Sequence, residues 1–101
     1  MFKMTVEEVF AIKNRGVVAT GRVESGTLRV GDTVQINNGP GVTVTAIEKF
    51  RKQLDEATEG ENVGLLMKGI KREQLNRGDV LTSSSSSSSS YGPTYGEAPP
   101  I

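Results

Sequence analysis

The sequence predicts an all-β fold: a small closed barrel of six to seven short antiparallel strands over residues 1–82, with a Ser-rich disordered tail over residues 83–101. Short β-rich runs separated by Gly and Asn turns, with little helical periodicity, argue for strands. Six or seven such strands without a hydrophobic helix close most economically into a barrel, because closure removes exposed edges. From Ser83 to Ser90 the chain is all serine, and Pro and Gly recur in the rest, so this stretch cannot build a core and reads as flexible coil.

The elements follow in order. Val6 to Ile12 opens a strand, Arg15-Gly16 turns it, and Val17 to Glu24 returns. Val17, Ala19, Gly21 and Val23 then share one face, and Val18, Thr20, Arg22 and Glu24 the other. Thr27 to Val30 follows the Ser25-Gly26 turn, and Thr33 to Ile36 follows Gly31-Asp32. Asn37 to Gly41 reverses the chain into Val42 to Phe50, where the apolar set moves from Val42 and Val44 to Ile47. A two-then-three spacing of this kind predicts a β-bulge near Ala46. Glu61 to Lys68 and Asp79 to Thr82 supply the last strands, and Lys71 to Leu75 forms a single helical turn in the connection between them.

Composition narrows the chemistry. There is one domain's length of chain, 101 residues, without cysteine or histidine, which removes thiolate nucleophiles, imidazole bases and the common zinc sites. An enzyme is therefore not expected, nor a cofactor or metal. No apolar run is long enough to span a bilayer and the start lacks a secretory h-region, so the expectation is a cytoplasmic protein with no membrane partner. Lys plus Arg and Asp plus Glu each total 12. The densest basic stretch, Lys68, Lys71, Arg72 and Arg77, reads more readily as a solvated connection than as an RNA-facing patch.

Three blocks carry a family resemblance. The run Val17-Val18-Ala19-Thr20-Gly21-Arg22-Val23-Glu24-Ser25-Gly26-Thr27-Leu28-Arg29-Val30-Gly31-Asp32 is similar to the second domain of translational GTPases. Glu48 to Glu56 and Gly60 to Arg72 resemble elongation factor Tu in particular, and Val6-Glu7-Glu8-Val9-Phe10 extends the likeness to about Phe2 through Thr82. The resemblance implies a Greek-key barrel. It does not extend to GTP hydrolysis: no GxxxxGKS/T loop or other nucleotide site is present, and the serine tail has no counterpart in the family. The Asn37 to Gly41 hairpin also looks shorter than the family's loop.

In elongation factor Tu this barrel helps hold the acceptor arm of aminoacyl-tRNA, and the resemblance carries seven positions over. Glu7 and Glu8 match an acidic pair, Phe10 an aromatic beside the terminal adenine, and Thr20 a strand threonine. Glu48 and Arg51 match two charged residues near the bulged strand, and Asn62 the asparagine of the Gly-Glu-Asn-Val-Gly turn. The expected partners are aminoacyl-tRNA or the ribosome, or else a protein such as a GTPase domain packed on the same barrel.

An aromatic face, a carboxylate and a guanidinium suit a nucleotide end. Each residue also has a plain structural reading. Phe10 keeps register with Ile12 and reads as core. Glu7 and Glu8 are adjacent on a strand, so they point to opposite faces and make a poor acid–base pair. Glu48 and Arg51 equally fit a surface ion pair worth about 0–1 kcal/mol. Asn62 fits a turn residue and Thr20 a routine strand position.

Overall fold

The structure, a computed structural model, describes residues 1–83. The expected tail from residue 84 onward lies outside the described residues. Among the described residues there are nine strands: β1 (Phe2–Ile12), β2 (Gly16–Ser25), β3 (Thr27–Arg29), β4 (Thr33–Ile36), β5 (Gly41–Lys49), β6 (Lys52–Leu54), β7 (Glu56–Thr58), β8 (Asn62–Met67) and β9 (Val80–Ser83). A 3-10 turn, Arg72–Gln74, lies in the β8–β9 connection.

Alternation of apolar and polar residues sets which faces turn inward. Phe2, Met4 and Val6 of β1 are buried while Lys3 is exposed, and Val17, Ala19 and Val23 of β2 are buried as their spacing predicts. β5 repeats the pattern with Val42, Val44 and Ile47. The ring runs β4-β9-β1-β2-β8-β5 and closes where β4 pairs with β5. All its pairings are antiparallel. β8, β5 and β4 lie side by side and β2, which precedes them in the chain, lies beside β8, which is a Greek key.

β5 serves three partners because it is long and bent. Its first part pairs with β4 and its later part with β8, with a register shift between Val44 and Ala46, the predicted bulge. Past that bend Ile47 to Lys49 also pairs with β6. β3 and β7 form a separate two-stranded ribbon that adds Leu28 and Ala57 to the core, and Leu75 adds to it from the β8–β9 connection.

The sequence reading differs from the structure in several places. β1 begins at Phe2, because Lys3 and Thr5 already alternate with buried neighbours. β6 and β7 were not expected: each has a single apolar residue, and what makes them strands is pairing with β5 and β3. β5 ends at Lys49, so Phe50 belongs to a turn. β9 extends one residue past the expected barrel boundary, with Ser83 buried.

Candidate nucleic-acid interface

A second register shift lies on β1. Val6 pairs with Gly21 and Glu8 with Thr20, leaving Glu7 as the extra residue of a bulge. A bulge re-aims the side chains around it. Glu7 turns into a groove on the outer face of the sheet, while Glu8 turns to Arg77, 3.4 Å from the guanidinium. Arg77 Nε also donates to the Glu7 carbonyl at 3.0 Å. The two carboxylates do diverge, but the cause is this bulge and its clamp rather than simple strand alternation.

The groove crosses β1, β2, β8 and β5, has a volume of about 580 Å³, and is lined by Glu7, Phe10, Thr20, Glu48, Asn62 and Phe50 among others. Its floor follows from cross-strand pairing: Thr20 lies opposite Gly64, and Gly64 opposite Glu48. Neighbouring strands are about 4.8 Å apart, so the missing side chain at Gly64 leaves a slot between the threonine and the carboxylate. A Cβ there would sit 3.2 Å from Val18 Cγ1 and 3.7 Å from Thr20 Cγ2.

The walls are apolar and aromatic. Phe10 is 50% exposed and Ile12 39%, which corrects the reading of Phe10 as core. The bulge is again the reason: beyond Glu7 the inward parity of β1 changes from even to odd residues, so Val9 packs on the core and Phe10 faces out. Glu48 is half-buried, and among the described residues no ion pair joins it to Arg51. Asn62 is exposed and its side chain makes no turn hydrogen bond among the described residues, so the turn reading fails for it.

Of the seven residues expected from the sequence, the structure gathers Glu7, Phe10, Thr20, Glu48 and Asn62 around one groove. It places Glu8 beside Arg77 in a neighbouring depression of about 750 Å³, and Arg51 in the β5–β6 turn outside the groove lining. Among the described residues, the only charged side chains in the lining are the carboxylates Glu7 and Glu48. Arg77, the last of the basic stretch, is engaged with β1, so that stretch is not a free basic face throughout.

Phe50 is the aromatic groove residue that the sequence reading missed. It is 92% exposed and has a left-handed φ of 60°. An aromatic flanked by Lys49, Arg51 and Lys52 was the available signal. Lys49 Nζ lies 5.9 Å from the ring centroid and 3.2 Å from Glu61 Oε2. Glu61 also accepts from the Thr58 backbone N–H and hydroxyl, at 2.8 and 2.9 Å, and these bonds, ahead of Lys49, hold its carboxyl below the ordinary glutamate range.

Comparison with known proteins supports the same origin. The structure matches the crystal structure of translation elongation factor SelB from Methanococcus maripaludis, in its apo form, with a TM-score of 0.75 and 35% identity. The match covers 81% of this chain and 18% of that one, so the chain spans under a fifth of that protein's length. Residues 16–82 match the family model of elongation factor Tu domain 2, a span that begins after β1 and holds Thr20, Glu48, Arg51 and Asn62. The chain belongs to the elongation factor Tu domain 2 family.

Proposed function

We propose that this barrel is a non-catalytic module that holds an RNA end, the acceptor end of aminoacyl-tRNA, in the groove across β1, β2, β8 and β5. The observation that carries this reading is the groove's composition: exposed aromatics, Thr20, Asn62 and two carboxylates, with no cation in the lining among the described residues. Carboxylates repel phosphate, so an RNA strand does not lie along such a groove. A terminal nucleoside fits it better. Its base stacks on an aromatic face, its ribose hydroxyls donate to a carboxylate, and an ester-linked amino acid brings an ammonium group of complementary charge. Family membership supports the link to translation. Tested in isolation, the barrel is expected to bind weakly, because a grip shared among several domains gains effective concentration that a single isolated domain lacks.

The test is a titration of the purified chain with aminoacylated tRNA, deacylated tRNA and an unrelated hairpin of equal length, at two salt concentrations. Preference for the aminoacylated form, weakened by Phe10→Ala and Asn62→Ala, is the expected outcome. Equal binding to all three that fades steeply with salt reduces the contact to nonspecific phosphate attraction.

A second reading rests on the exposed apolar side chains Phe10, Ile12 and Phe50 along the same groove. Such a patch also fits a protein surface. In that case the barrel is an adaptor that presents to another protein the face that packs on a GTPase domain in larger relatives, and none of the three RNAs binds.

A further inference from the structure

The aromatic residues of this chain fall into three places. Phe2 is core, Phe10 and Phe50 line the groove, and the only two tyrosines, Tyr91 and Tyr95, lie in the segment that follows the barrel.

The groove offers unmet partners. Its two rings are exposed, and neither the Glu7 nor the Glu48 side chain has a hydrogen bond or ion pair among the described residues. An aromatic ring that carries a neutral donor complements both features at once. A phenol does so: its ring packs on phenylalanine, and its hydroxyl donates to an ionised carboxylate in a strong charge-assisted bond. From Ser84 to Gly96 the sequence has no charged residue, so nothing in that stretch is repelled by the two carboxylates.

Reach also matches. β9 ends at Ser83, which pairs with Phe2 at the start of β1, and the groove lies further along β1, at Glu7 and Phe10. At about 3.4 Å per residue these positions are roughly 17 and 27 Å from Phe2. A Ser-rich connection of eight steps, from Ser83 to Tyr91, has an average reach of about 16 Å, and twelve steps, to Tyr95, about 19 Å. The corresponding extended lengths are about 26 and 40 Å. Both tyrosines therefore reach the groove, and a tether whose average length is close to its span gives a high effective concentration.

The spacing of the two rings fits as well. Phe10 is on β1 and Phe50 follows β5, with β2 and β8 between. Three interstrand steps of about 4.8 Å separate them by roughly 14 Å. Tyr91 and Tyr95, four steps apart, span up to about 13 Å when extended.

We propose that the groove is a docking site for this chain's own segment from Tyr91 to Tyr95, one ring packing at Phe10 and the other at Phe50, with the hydroxyls donating to Glu7 and Glu48. Docked there, the segment competes with the RNA end. That competition rests on the RNA-end reading, whereas the docking does not.

Because the chain has no tryptophan and no other tyrosine, tyrosine emission reports on this segment alone. Acrylamide quenching is measured on the unsubstituted chain, on Phe10→Ala and on the chain unfolded in urea. The folded unsubstituted chain should give a quenching constant about threefold below the unfolded one, as for a segment docked in about two thirds of molecules. Phe10→Ala should bring it close to the unfolded value, and a tenfold dilution should leave it unchanged. Amide resonances of Thr20 and Gly64 should shift in Tyr91→Ala/Tyr95→Ala, which alters no residue of the barrel core.

Equal quenching of the folded and unfolded chains would overturn the docking, as would protection that survives Phe10→Ala. Protection lost on dilution would assign the groove to the segment of a second copy and overturn docking within one chain. Aminoacylated tRNA should bind Tyr91→Ala/Tyr95→Ala about threefold more tightly than the unsubstituted chain. If neither chain binds it, the RNA-end reading fails and the quenching alone decides the docking. If both bind it equally while the tyrosines are protected, the competition is overturned.

Discussion

Lys49 and Glu61 join the end of β5 to the turn before β8, with Nζ and Oε2 3.2 Å apart and both side chains only partly exposed. Glu61 is held by the Thr58 N–H and hydroxyl as well, so its ionised form is favoured in the folded chain.

A depressed carboxyl pKa stabilises the fold above the unfolded-state value, and that contribution is lost as pH falls through the folded value. The window therefore lies below the ordinary glutamate value of 4.5. Glu61→Gln should melt at a lower temperature than the unsubstituted chain at pH 7. The difference should shrink as pH drops below that value, read from thermal unfolding by circular dichroism. A gap that persists unchanged at pH 2.5 would show that the ionised carboxylate is not the stabilising form.

Phe10 and Phe2 stand on the same strand in opposite environments, one half-exposed and the other 1% exposed. Phe2→Ala should cost about 3–5 kcal/mol, and Phe10→Ala under about 1 kcal/mol. Urea titration measures both. Equal losses would mean that β1 keeps one parity along its length and that the bulge at Glu7 is absent.

Gly64 keeps the groove open between Thr20 and Glu48. Gly64→Val should fill the slot and leave the barrel folded, since the position is on the outer face of a strand that tolerates β-branched residues. Affinity for aminoacylated tRNA should fall about tenfold, roughly 1.4 kcal/mol. Unchanged affinity would place the RNA elsewhere.

Phe50→Gly should raise stability by about 0.5–1 kcal/mol, because glycine adopts a positive φ without steric cost. Chemical denaturation of the two chains side by side gives the value. A destabilised variant would show that the exposed ring contributes packing that its 92% exposure does not reveal.

The sequence made the barrel legible wherever alternation is regular. Val17, Ala19 and Val23, or Val42, Val44 and Ile47, declare an inward face because side chains on a strand alternate with period two. The break in that period near Ala46 marks its bulge in the sequence itself. The bulge at Glu7 left no such mark: Val6, Val9, Phe10 and Ile12 include apolar residues of both parities, so Phe10 passes for core.

The candidate site divides the same way. Residue types suited to a nucleotide end were visible at Glu7, Phe10, Thr20, Glu48 and Asn62, but nothing in their order says that they share a groove. That depends on β8 inserting between β2 and β5, a pairing of segments far apart in the chain. The same pairing made Gly64 a floor, and a local turn geometry lifted Phe50 to the rim. By itself the sequence determined the strands and the chemical character of the site. Tertiary structure decided which side chains meet, because strand order, register and bulges are set by long-range pairing that local periodicity does not encode.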